Sequence, residues 1–315
     1  MDIIMLLVQQ PEFTWIHLKN STRSELENIQ KEYDFHELIM EDLIELSGEN
    51  KVEYYEEDDA VTILLNFPKY DVKTEKYIHN PFVIVVSHSF VLSIWKYNSR
   101  HIDNLAKLAQ QKTYLQHDNS TPTFDLVYDI IDTMYDKSVK WLTKASQDVL
   151  HLQDHIETHK DIDKNLLEDL MGKKINMITL QHIFRPQRQT LHEFKAILKK
   201  VLRTDREEVE DARLYIEDLD AKLDKILDNI SLNYESLKSL AETYSSLIDL
   251  QTNKTISRLT IVTVWTGFMA VIAWFFGMNV VIPWGTYPEM FWIILLISII
   301  SIGIGYSVLK WRKRL

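Results

Sequence analysis

Residues 259–277 have the sequence LTIVTVWTGFMAVIAWFFG, and residues 290–309 have the sequence MFWIILLISIISIGIGYSVL. Neither stretch contains a charged side chain. An α-helix rises about 1.5 Å per residue, so each stretch is long enough to cross a hydrocarbon core of about 30 Å. The pattern predicts two transmembrane helices, at 259–279 and 290–309. Two buried core helices are a weaker alternative, because core helices of soluble proteins rarely run this long without a polar face.

Basic residues near the two stretches predict their orientation. Lys254 and Arg258 precede the first stretch and a basic tail at 310–315 follows the second, whereas the linker 280–289 contains no Lys or Arg. Basic residues are concentrated on the cytoplasmic side of a membrane. We therefore expect a protein of the cell membrane (inner or plasma membrane) with both termini in the cytoplasm and a short external loop at 280–289.

The remainder of the chain is acidic. The 315 residues include 35 Lys and Arg against 46 Asp and Glu, and only five of these basic residues and one acidic residue follow Thr255. Residues 1–255 therefore carry a net charge of −15. Binding to nucleic acid requires a surplus of basic side chains that neutralise phosphates, so this charge argues against a nucleic-acid partner and favours a cationic one.

Residues 1–122 combine strand patterns with short helical patterns. Runs rich in apolar and β-branched residues predict strands at 1–8, 13–18, 60–65, 82–86 and 90–95. Helical periodicity occurs between these strands at 24–33, 36–46 and 102–111. The expected fold of this part is a cytoplasmic α/β domain in which helices cover a sheet.

From residue 123 onward the pattern is almost entirely helical, with interruptions expected at Gly172 and Pro186. A helical hairpin and a long stalk helix are predicted at 123–258. One helix from about Asp205 to Gly277, roughly 110 Å long, would enter the membrane unbroken. Apolar residues recur along it at Ile216, Leu219, Leu223, Ile226, Ile230, Tyr234, Leu237, Leu240, Tyr244 and Leu247. This stripe requires partner helices, most simply copies from other subunits.

A short motif, Gly277-Met278-Asn279, ends the first apolar stretch. This triplet, placed between two C-terminal spans and followed by a short loop with Pro288-Glu289 and a basic tail, resembles the CorA family of magnesium channels. The resemblance covers the whole chain, with further matches at 40–44, 51–55, 253–255 and 259–260. It implies a funnel-shaped homopentamer in a lipid bilayer, in which the first spans line a central pore. The implied cargo is Mg²⁺, with Co²⁺ and Ni²⁺ as alternatives.

The resemblance assigns ion selection to Gly277, Met278 and Asn279, with Asn279 ringing the outer mouth of the pore. Mg²⁺ gives up its shell of water reluctantly, so amide and carbonyl oxygens that bind this shell can select the hydrated ion. Gly277 would let the chain turn out of the helix. A simpler interpretation of the same residues is a C-cap glycine followed by a polar residue at the membrane interface.

The resemblance also implies that one face of the first span lines the pore. This face is formed by Asn253, Ile256, Leu259, Thr263 and Gly267, and the aliphatic pair Ile256 and Leu259 would form a gate that can dewet. Thr263, Gly267, Ala270 and Ala273 also form a stripe of small residues, and such a stripe is more often typical of close helix packing than of a pore.

Three residues of the first span depart from the family pattern. Many relatives have a Pro and a Thr where this chain has Phe268 and Ala270, and Phe276 replaces the common Tyr before the triplet. A polar ring in the middle of the span is therefore in question. In the external loop, Glu289 from each subunit would contribute to a ring of five carboxylates that attracts cations electrostatically.

Two intracellular acids, Asp42 and Asp218, match residues through which the family senses Mg²⁺ between adjacent subunits. Carboxylates from different chains repel one another, and a hard cation can bridge them. Internal Mg²⁺ would then act as regulator as well as cargo, holding a closed ring together until its loss opens the pore.

Enzymatic function is not expected. The sequence contains no P-loop, no dinucleotide-binding turn and no Cys nucleophile, and it predicts no organic cofactor. Two other classes remain open: a zinc transporter of the same superfamily, and a membrane-anchored coiled-coil structural protein. Three histidines, His151, His155 and His159, share one helix face and could bind Zn²⁺, although a solvated hairpin tip is favoured.

Overall fold

The computed structural model describes residues 4–9, 13–19, 21–33, 37–45, 48–95, 100–110, 121–158, 164–202, 206–278, 287 and 289–312. The chain divides into two compact units, Met1–Ala241 and Glu242–Leu315.

The first unit contains six strands and six complete helices among its described residues. In chain order they are β1 (Ile4–Gln9), β2 (Thr14–Lys19), α1 (Arg23–Tyr33), α2 (Glu37–Glu45), β3 (Lys51–Tyr55), β4 (Ala60–Asp71), β5 (Lys76–Val86), β6 (Phe90–Trp95), α3 (Arg100–Ala109), α4 (Pro122–Thr158), α5 (Lys164–Phe184) and α6 (Gln187–Leu202). Helix α7 (Arg206–Gly277) begins in this unit, and α8 (Glu289–Arg312) belongs to the second unit. The strands and helices predicted from the first 122 residues are confirmed, and β3 is an additional strand.

The sheet is mixed. Its strand order is β1-β2-β6-β5-β4-β3, in which only β2 and β6 run parallel and every other neighbouring pair is antiparallel. The parallel pair brings together two strands separated by 70 residues of chain, between Lys19 and Phe90. The prediction of a sheet covered by helices is confirmed.

One face of the sheet packs against α1 and α2. Helix α1 begins with one half of a capping box, in which the Thr22 N–H donates to Glu25 Oε2 at 2.8 Å, while the Glu25 N–H donates to the Thr22 backbone carbonyl. The apolar core under these two helices consists of Ile16, Leu18, Leu26, Ile29, Ile39, Met40, Leu43, Ala60, Leu64, Val83, Val85, Phe90, Leu92 and Ile94.

The opposite face of the sheet is aromatic and packs against the later helices. Phe67 lies at its centre, with its ring centroid 6.1 Å from Trp95, 6.1 Å from Tyr135 of α4 and 6.4 Å from Phe184 of α5. The Tyr135 hydroxyl donates to Gln187 at the start of α6. Aromatic side chains of this sheet face therefore pack on α4 and α5, and the hydrogen bond from Tyr135 links α4 to α6.

The long hairpin between β4 and β5 is fastened to α5. Asn176 is buried, its Oδ1 accepts from the Tyr77 N–H at 3.2 Å, and its Nδ2 donates to the Glu75 carbonyl at 2.9 Å. Glu75 has a positive φ of 54°, which strains a residue that has a side chain. The two hydrogen bonds from Asn176 fix the turn in this conformation.

Helix α7 was predicted from about Asp205 to Gly277, and it extends from Arg206 to Gly277 without a break. Pro186 separates α5 from α6 as expected, whereas Gly172 lies inside an unbroken α5, so the interruption predicted there is wrong. No residue contact requires a glycine at position 172, because a Cβ atom there would meet nothing within 4 Å in the described structure.

The apolar stripe of α7 has partner helices along its first part, as predicted, but these helices belong to the same chain, so the prediction that other subunits supply them is wrong there. Between Ile216 and Leu237, six side chains of the stripe are at most 2% exposed within one chain: Ile216, Leu219, Leu223, Ile226, Ile230 and Leu237. Contacts with three helices of the same unit cover them. Asn233 donates to Ser146 of α4, Lys195 of α6 pairs with Glu217, and Lys174 of α5 lies over the ring of Tyr234.

Candidate functional site

The predicted first membrane span forms the last part of α7. Most of its large apolar side chains are exposed within the chain, as is Ile256 just before it; those in the span are Leu259, Val262, Val264, Phe268, Val271, Trp274 and Phe275. By length and composition, α7 is the one helix in the described part of the chain that could cross a membrane. No residue in its most apolar stretch is buried inside the chain. Leaving such side chains in water costs about 1.5–3 kcal/mol each, so this surface requires cover by lipid or by protein.

The predicted second span corresponds to α8. Its described apolar part, Phe291–Gly305, is shorter than a span needs. The presence of a second membrane span and the orientation of the termini therefore remain predictions.

The five residues expected to line a pore lie on one side of α7. At 3.6 residues per turn, Asn253, Ile256, Leu259, Thr263 and Gly267 fall within an arc of about 120°. All five are exposed, and nothing in the described part of the chain lies within 4 Å of a Cβ atom added to Gly267. This arc is hereafter the open face of α7.

The side of α7 opposite the open face is the side that α8 contacts. Between residues 255 and 275, the large apolar side chains that are half-buried are Ile261, Trp265, Met269 and Ile272. They occupy an arc of about 80° whose centre is about 180° from the centre of the open face. Gly305 of α8 is buried, and a Cβ atom there would lie 3.3 Å from the ring of Trp265. Helix α8 therefore packs on one side of α7 and leaves the open face uncovered.

Thr263 places an unused acceptor on the open face. Its hydroxyl donates its only hydrogen to the Leu259 carbonyl at 2.9 Å, one turn earlier. The oxygen lone pairs consequently face outward, where they can accept hydrogen bonds from water. Water bound to a metal cation donates such hydrogen bonds, so this arrangement suits a hydrated cation better than an anion.

The triplet at the end of α7 is described in part. Gly277 is the last residue of the helix and Met278 is 57% exposed, whereas Asn279 lies outside the described residues. No glycine in the described chain has a positive φ, so Gly277 does not have the left-handed conformation typical of a C-cap glycine. Within one chain, no described atom lies within 4 Å of a Cβ atom added to Gly277, so no contact requires a glycine at this position.

The acidic residue predicted in the external loop, Glu289, is the first residue of α8 and is exposed. A carboxylate in the first turn of a helix is stabilised by the positive end of the helix dipole. That interaction explains Glu289 locally without a role in cation binding.

Of the two predicted sensing residues, Asp218 is fully described. It is exposed on α7, accepts a hydrogen bond from the Tyr128 hydroxyl of α4 at 2.8 Å, and lies 3.9 Å from Lys222 Nζ. Burial, followed by this hydrogen bond to Asp218, raises the pKa of Tyr128. Asp42 belongs to α2, and its side chain is outside the described part of the structure.

Sequence reasoning missed the acidic neighbourhood around Asp218. Lys222 forms ion pairs with Asp132 and Asp136 of α4 in addition to its contact with Asp218. Burial alone would lower the pKa of Lys222, but hydrogen bonds to these two carboxylates raise it. Burial raises the pKa of Asp132. Because Lys222 and Asp132 are 90 residues apart in sequence, no local pattern could have indicated this pair.

The histidine face of α4 does not form a metal site in the residues that the structure describes. His151 is exposed, whereas the side chain of His155 and all of His159 are outside those residues. No group of three His, Cys, Asp or Glu side chains able to hold a metal ion occurs in the described ranges.

Known proteins resemble this chain over nearly its full length. A family model described as CorA-like Mg²⁺ transporter protein matches residues 10–313. The magnesium transport protein CorA of Wolinella succinogenes is 23% identical over 323 residues, which cover 97% of this chain and 94% of that protein.

Solved structures show the same fold. The complete structure of the CorA magnesium transporter from Methanocaldococcus jannaschii has a TM-score of 0.78 at 19% identity and covers 95% of this chain and 90% of that one. The cytoplasmic domain of ZntB from Vibrio parahaemolyticus has a TM-score of 0.53 at 12% identity, with coverage of 76% and 98%. At these identities the likeness is one of fold.

Proposed function

Since the chain belongs to the CorA-like Mg²⁺ transporter family, we propose that it forms a homopentameric channel that conducts hydrated Mg²⁺ along the open face of α7. Members of this family are transport proteins of the membrane and not enzymes. Mg²⁺ is the cargo of the family, and Co²⁺ and Ni²⁺ are further ions that this pore would admit.

The observation that carries the proposal is the position of α8. Gly305 and Trp265 hold α8 against one side of α7, and the residues assigned to the pore lie on the other side. In a ring of subunits, α8 would stand on the outside toward lipid, and the open face would point to the axis. Exposed apolar side chains such as Ile256 and Leu259 favour this arrangement, because neighbouring copies would cover their flanks.

The chemistry of the open face supports a cation that keeps its water. Thr263 offers an acceptor without a competing charge, and Asn253 offers an amide. Neutral oxygens bind the water shell weakly enough to release the ion again. We assign the narrow outer filter to Gly277, Met278 and Asn279, the gate to Ile256 and Leu259, and the attraction of cations to Glu289.

For regulation, we propose that Asp218 meets Asp42 of an adjacent subunit around an intracellular Mg²⁺ ion. Asp218 is exposed, so a neighbouring chain can reach it. Its hydrogen bond from Tyr128 leaves further lone pairs on the carboxylate for a metal ligand or its water. Removal of the ion would leave two facing carboxylates that repel each other, which would loosen the ring.

Two spans with both termini in the cytoplasm complete the proposal. The basic residues Lys254 and Arg258 before the first span, and the basic tail after the second, support this orientation. A zinc transporter remains the alternative within the superfamily, because the ZntB cytoplasmic domain has a related fold. A membrane-anchored structural coiled coil is the other alternative.

Single cysteines can test which side of α7 lines the pore, because the natural chain contains no Cys. Thr263→Cys and its matched control Ile261→Cys lie two residues apart and about 160° apart around the helix. Each variant is reconstituted in liposomes, and Mg²⁺ uptake is measured with an internal fluorescent indicator before and after a charged, membrane-impermeant thiol reagent. Detergent-solubilised protein is weighed by native mass spectrometry in parallel.

We expect a pentamer, uptake of Mg²⁺ by both variants, and block by the reagent in Thr263→Cys only. Block of Ile261→Cys alone would contradict the assignment of the open face. A stable monomer or dimer would contradict the ring, and Zn²⁺ uptake without Mg²⁺ uptake would favour the zinc alternative.

A further inference from the structure

A cavity of about 310 Å³ lies between the aromatic face of the sheet and α4, within the first unit. Its wall includes Phe67, Trp95 and Met134, which are buried in the core. Pockets that bind small organic molecules start at about 300 Å³ and are lined mainly by apolar and aromatic side chains with a few polar groups. The cavity has the size and the wall of such a site.

Two residues in the wall of this cavity each carry a buried polar atom without a partner. Asn80 is 2% exposed and Trp95 is 4% exposed, yet neither Asn80 Oδ1 nor Trp95 Nε1 has a hydrogen-bond partner among the described residues. An unsatisfied buried donor or acceptor costs about 1–3 kcal/mol, so partners are expected for both. A ligand that offers an acceptor and a donor would satisfy them together.

The strand register places these two groups side by side. Trp95 of β6 is directly opposite Phe82 of β5, and Asn80 precedes Phe82 by two residues, so Asn80 and Trp95 are diagonal neighbours on one face of the sheet. Such neighbours have Cα atoms about 7–8 Å apart. Both atoms are closed to solvent, so one flat molecule contacts both when its edge parts these two side chains.

The rest of the lining is aromatic and basic. Trp141 of α4 packs edge-on against Tyr77 with ring centroids 4.6 Å apart, and both line the cavity. Lys69 and Lys137 line it as well. Lys137 is exposed and forms no ion pair in the described part of the chain, although residues 1–255 are acidic overall. An unpaired ammonium beside an aromatic cavity favours an anionic ligand.

We propose that this cavity binds a planar heteroaromatic anion of nucleoside monophosphate size. The flat body would lie among Phe67, Trp141 and Tyr77, its edge would accept from Trp95 Nε1 and donate to Asn80 Oδ1, and its anionic group would pair with Lys137. Purine nucleoside monophosphates have all three features, because the adenine edge carries an acceptor beside an amino donor. This site is independent of the ion pathway.

The test uses the full chain in detergent and isothermal titration calorimetry with adenosine monophosphate, adenosine and ribose 5-phosphate. We expect adenosine monophosphate to bind at least about tenfold more tightly than either fragment, each of which lacks one set of contacts. Trp95→Phe removes the donor and keeps an aromatic ring, and Lys137→Gln removes the charge. Each should weaken binding of adenosine monophosphate by about tenfold.

Lys140→Gln is the matched control, because Lys140 lies one turn further along α4, is exposed and does not line the cavity. It should bind adenosine monophosphate like the natural protein. Thermal unfolding of every variant shows whether the fold is retained. Absence of binding up to about 1 mM ligand, or equal binding by Lys137→Gln and Lys140→Gln in folded protein, would overturn the proposal. Mg²⁺ uptake is measured separately, so failure of this site leaves the transport proposal unaffected.

Discussion

Gly305 of α8 packs directly against the indole ring of Trp265 of α7. A Cβ atom added to Gly305 would lie 3.3 Å from Cδ2 and Cε2 of that ring, which is closer than ordinary van der Waals contact. Gly303, two residues earlier, has nothing within 4 Å of such an atom in the described structure. The two glycines of α8 therefore differ in whether the helix pair needs them.

This difference gives a prediction for stability. Gly305→Val forces α8 away from Trp265 and should destabilise the protein by about 1–3 kcal/mol, as overpacking usually does. Gly303→Val is the matched control and should be nearly neutral. The thermal midpoint of each variant in detergent measures the effect. Equal midpoints for the two variants would mean that this helix contact is not maintained in the membrane protein.

Substitution of Asn279 should impair Mg²⁺ transport without impairing folding or assembly. Asn279→Ala removes one amide acceptor per subunit and leaves the apolar surface of the span unchanged, so pentamer yield should be normal while Mg²⁺ uptake falls about tenfold or more. Asn279→Asp keeps the size and adds a charge per subunit, which should hold a divalent ion too tightly for release. Uptake into liposomes is compared with pentamer yield. Near-normal uptake by the Ala variant would show that selection occurs elsewhere.

The buried His17 predicts a loss of stability in acid. Its Nδ1 contacts Ser93 Oγ at 2.8 Å, and burial, reinforced by the charge of Lys19, lowers the pKa of His17 from 6.5 to about 4. As the pH falls below 6.5, the unfolded chain takes up this proton before the folded chain does. The free energy of unfolding should therefore decrease between pH 6.5 and 4, by up to about 3 kcal/mol from this residue.

The variant His17→Gln isolates the contribution of this residue, because the acidic side chains of the protein titrate in the same range. Urea unfolding of both proteins is followed at pH 7.5, 5.5 and 4.5. The natural protein should lose more stability than the variant over this range. Parallel losses would mean that folding does not lower the pKa of His17.

Cysteine cross-linking can test the predicted pair of Asp42 and Asp218 across the subunit boundary. Asp42→Cys combined with Asp218→Cys should form disulfide-linked chains under mild oxidation when the ring is closed, because bridging requires Cα atoms within about 7 Å. Asp42→Cys with Glu217→Cys is the control, since the adjacent position points to another side of α7. Linked chains on a non-reducing gel are the measurement. Cross-linking within one chain, or none, would contradict the inter-subunit site.

Several elements follow from local sequence patterns because their causes are local. The uninterrupted α7 follows from the absence of Gly and Pro between residues 187 and 266, and the observed start at Arg206 is one residue from the expected start. Strand β3, with the sequence KVEYY, was not predicted because it is an edge strand whose side chains are half-buried or exposed. An edge strand lacks the apolar run that marks a central one.

The candidate site could be predicted only in part. The triplet at 277–279 and the spacing of Asn253, Ile256, Leu259, Thr263 and Gly267 are visible in the sequence, since a helix of known period fixes which residues share a face. The contact of Lys222 with Asp132, and the cavity beside Asn80, depend on segments far apart in the chain. No periodic pattern encodes such contacts.

The sequence alone determined the uncharged length of the two predicted spans, the extent of α7 and the residues that share its faces, because hydrophobicity and helical period act over neighbouring residues. Tertiary structure decided what covers each face. The stripe from Ile216 to Leu237 could have served to join subunits, but α4, α5 and α6 bury it within one chain. Near the end of the same helix, the contact between Gly305 and Trp265 leaves the opposite face open. An apolar face is satisfied by whichever surface reaches it, because hydrophobic burial has no direction of its own, and only the folded chain fixes that surface.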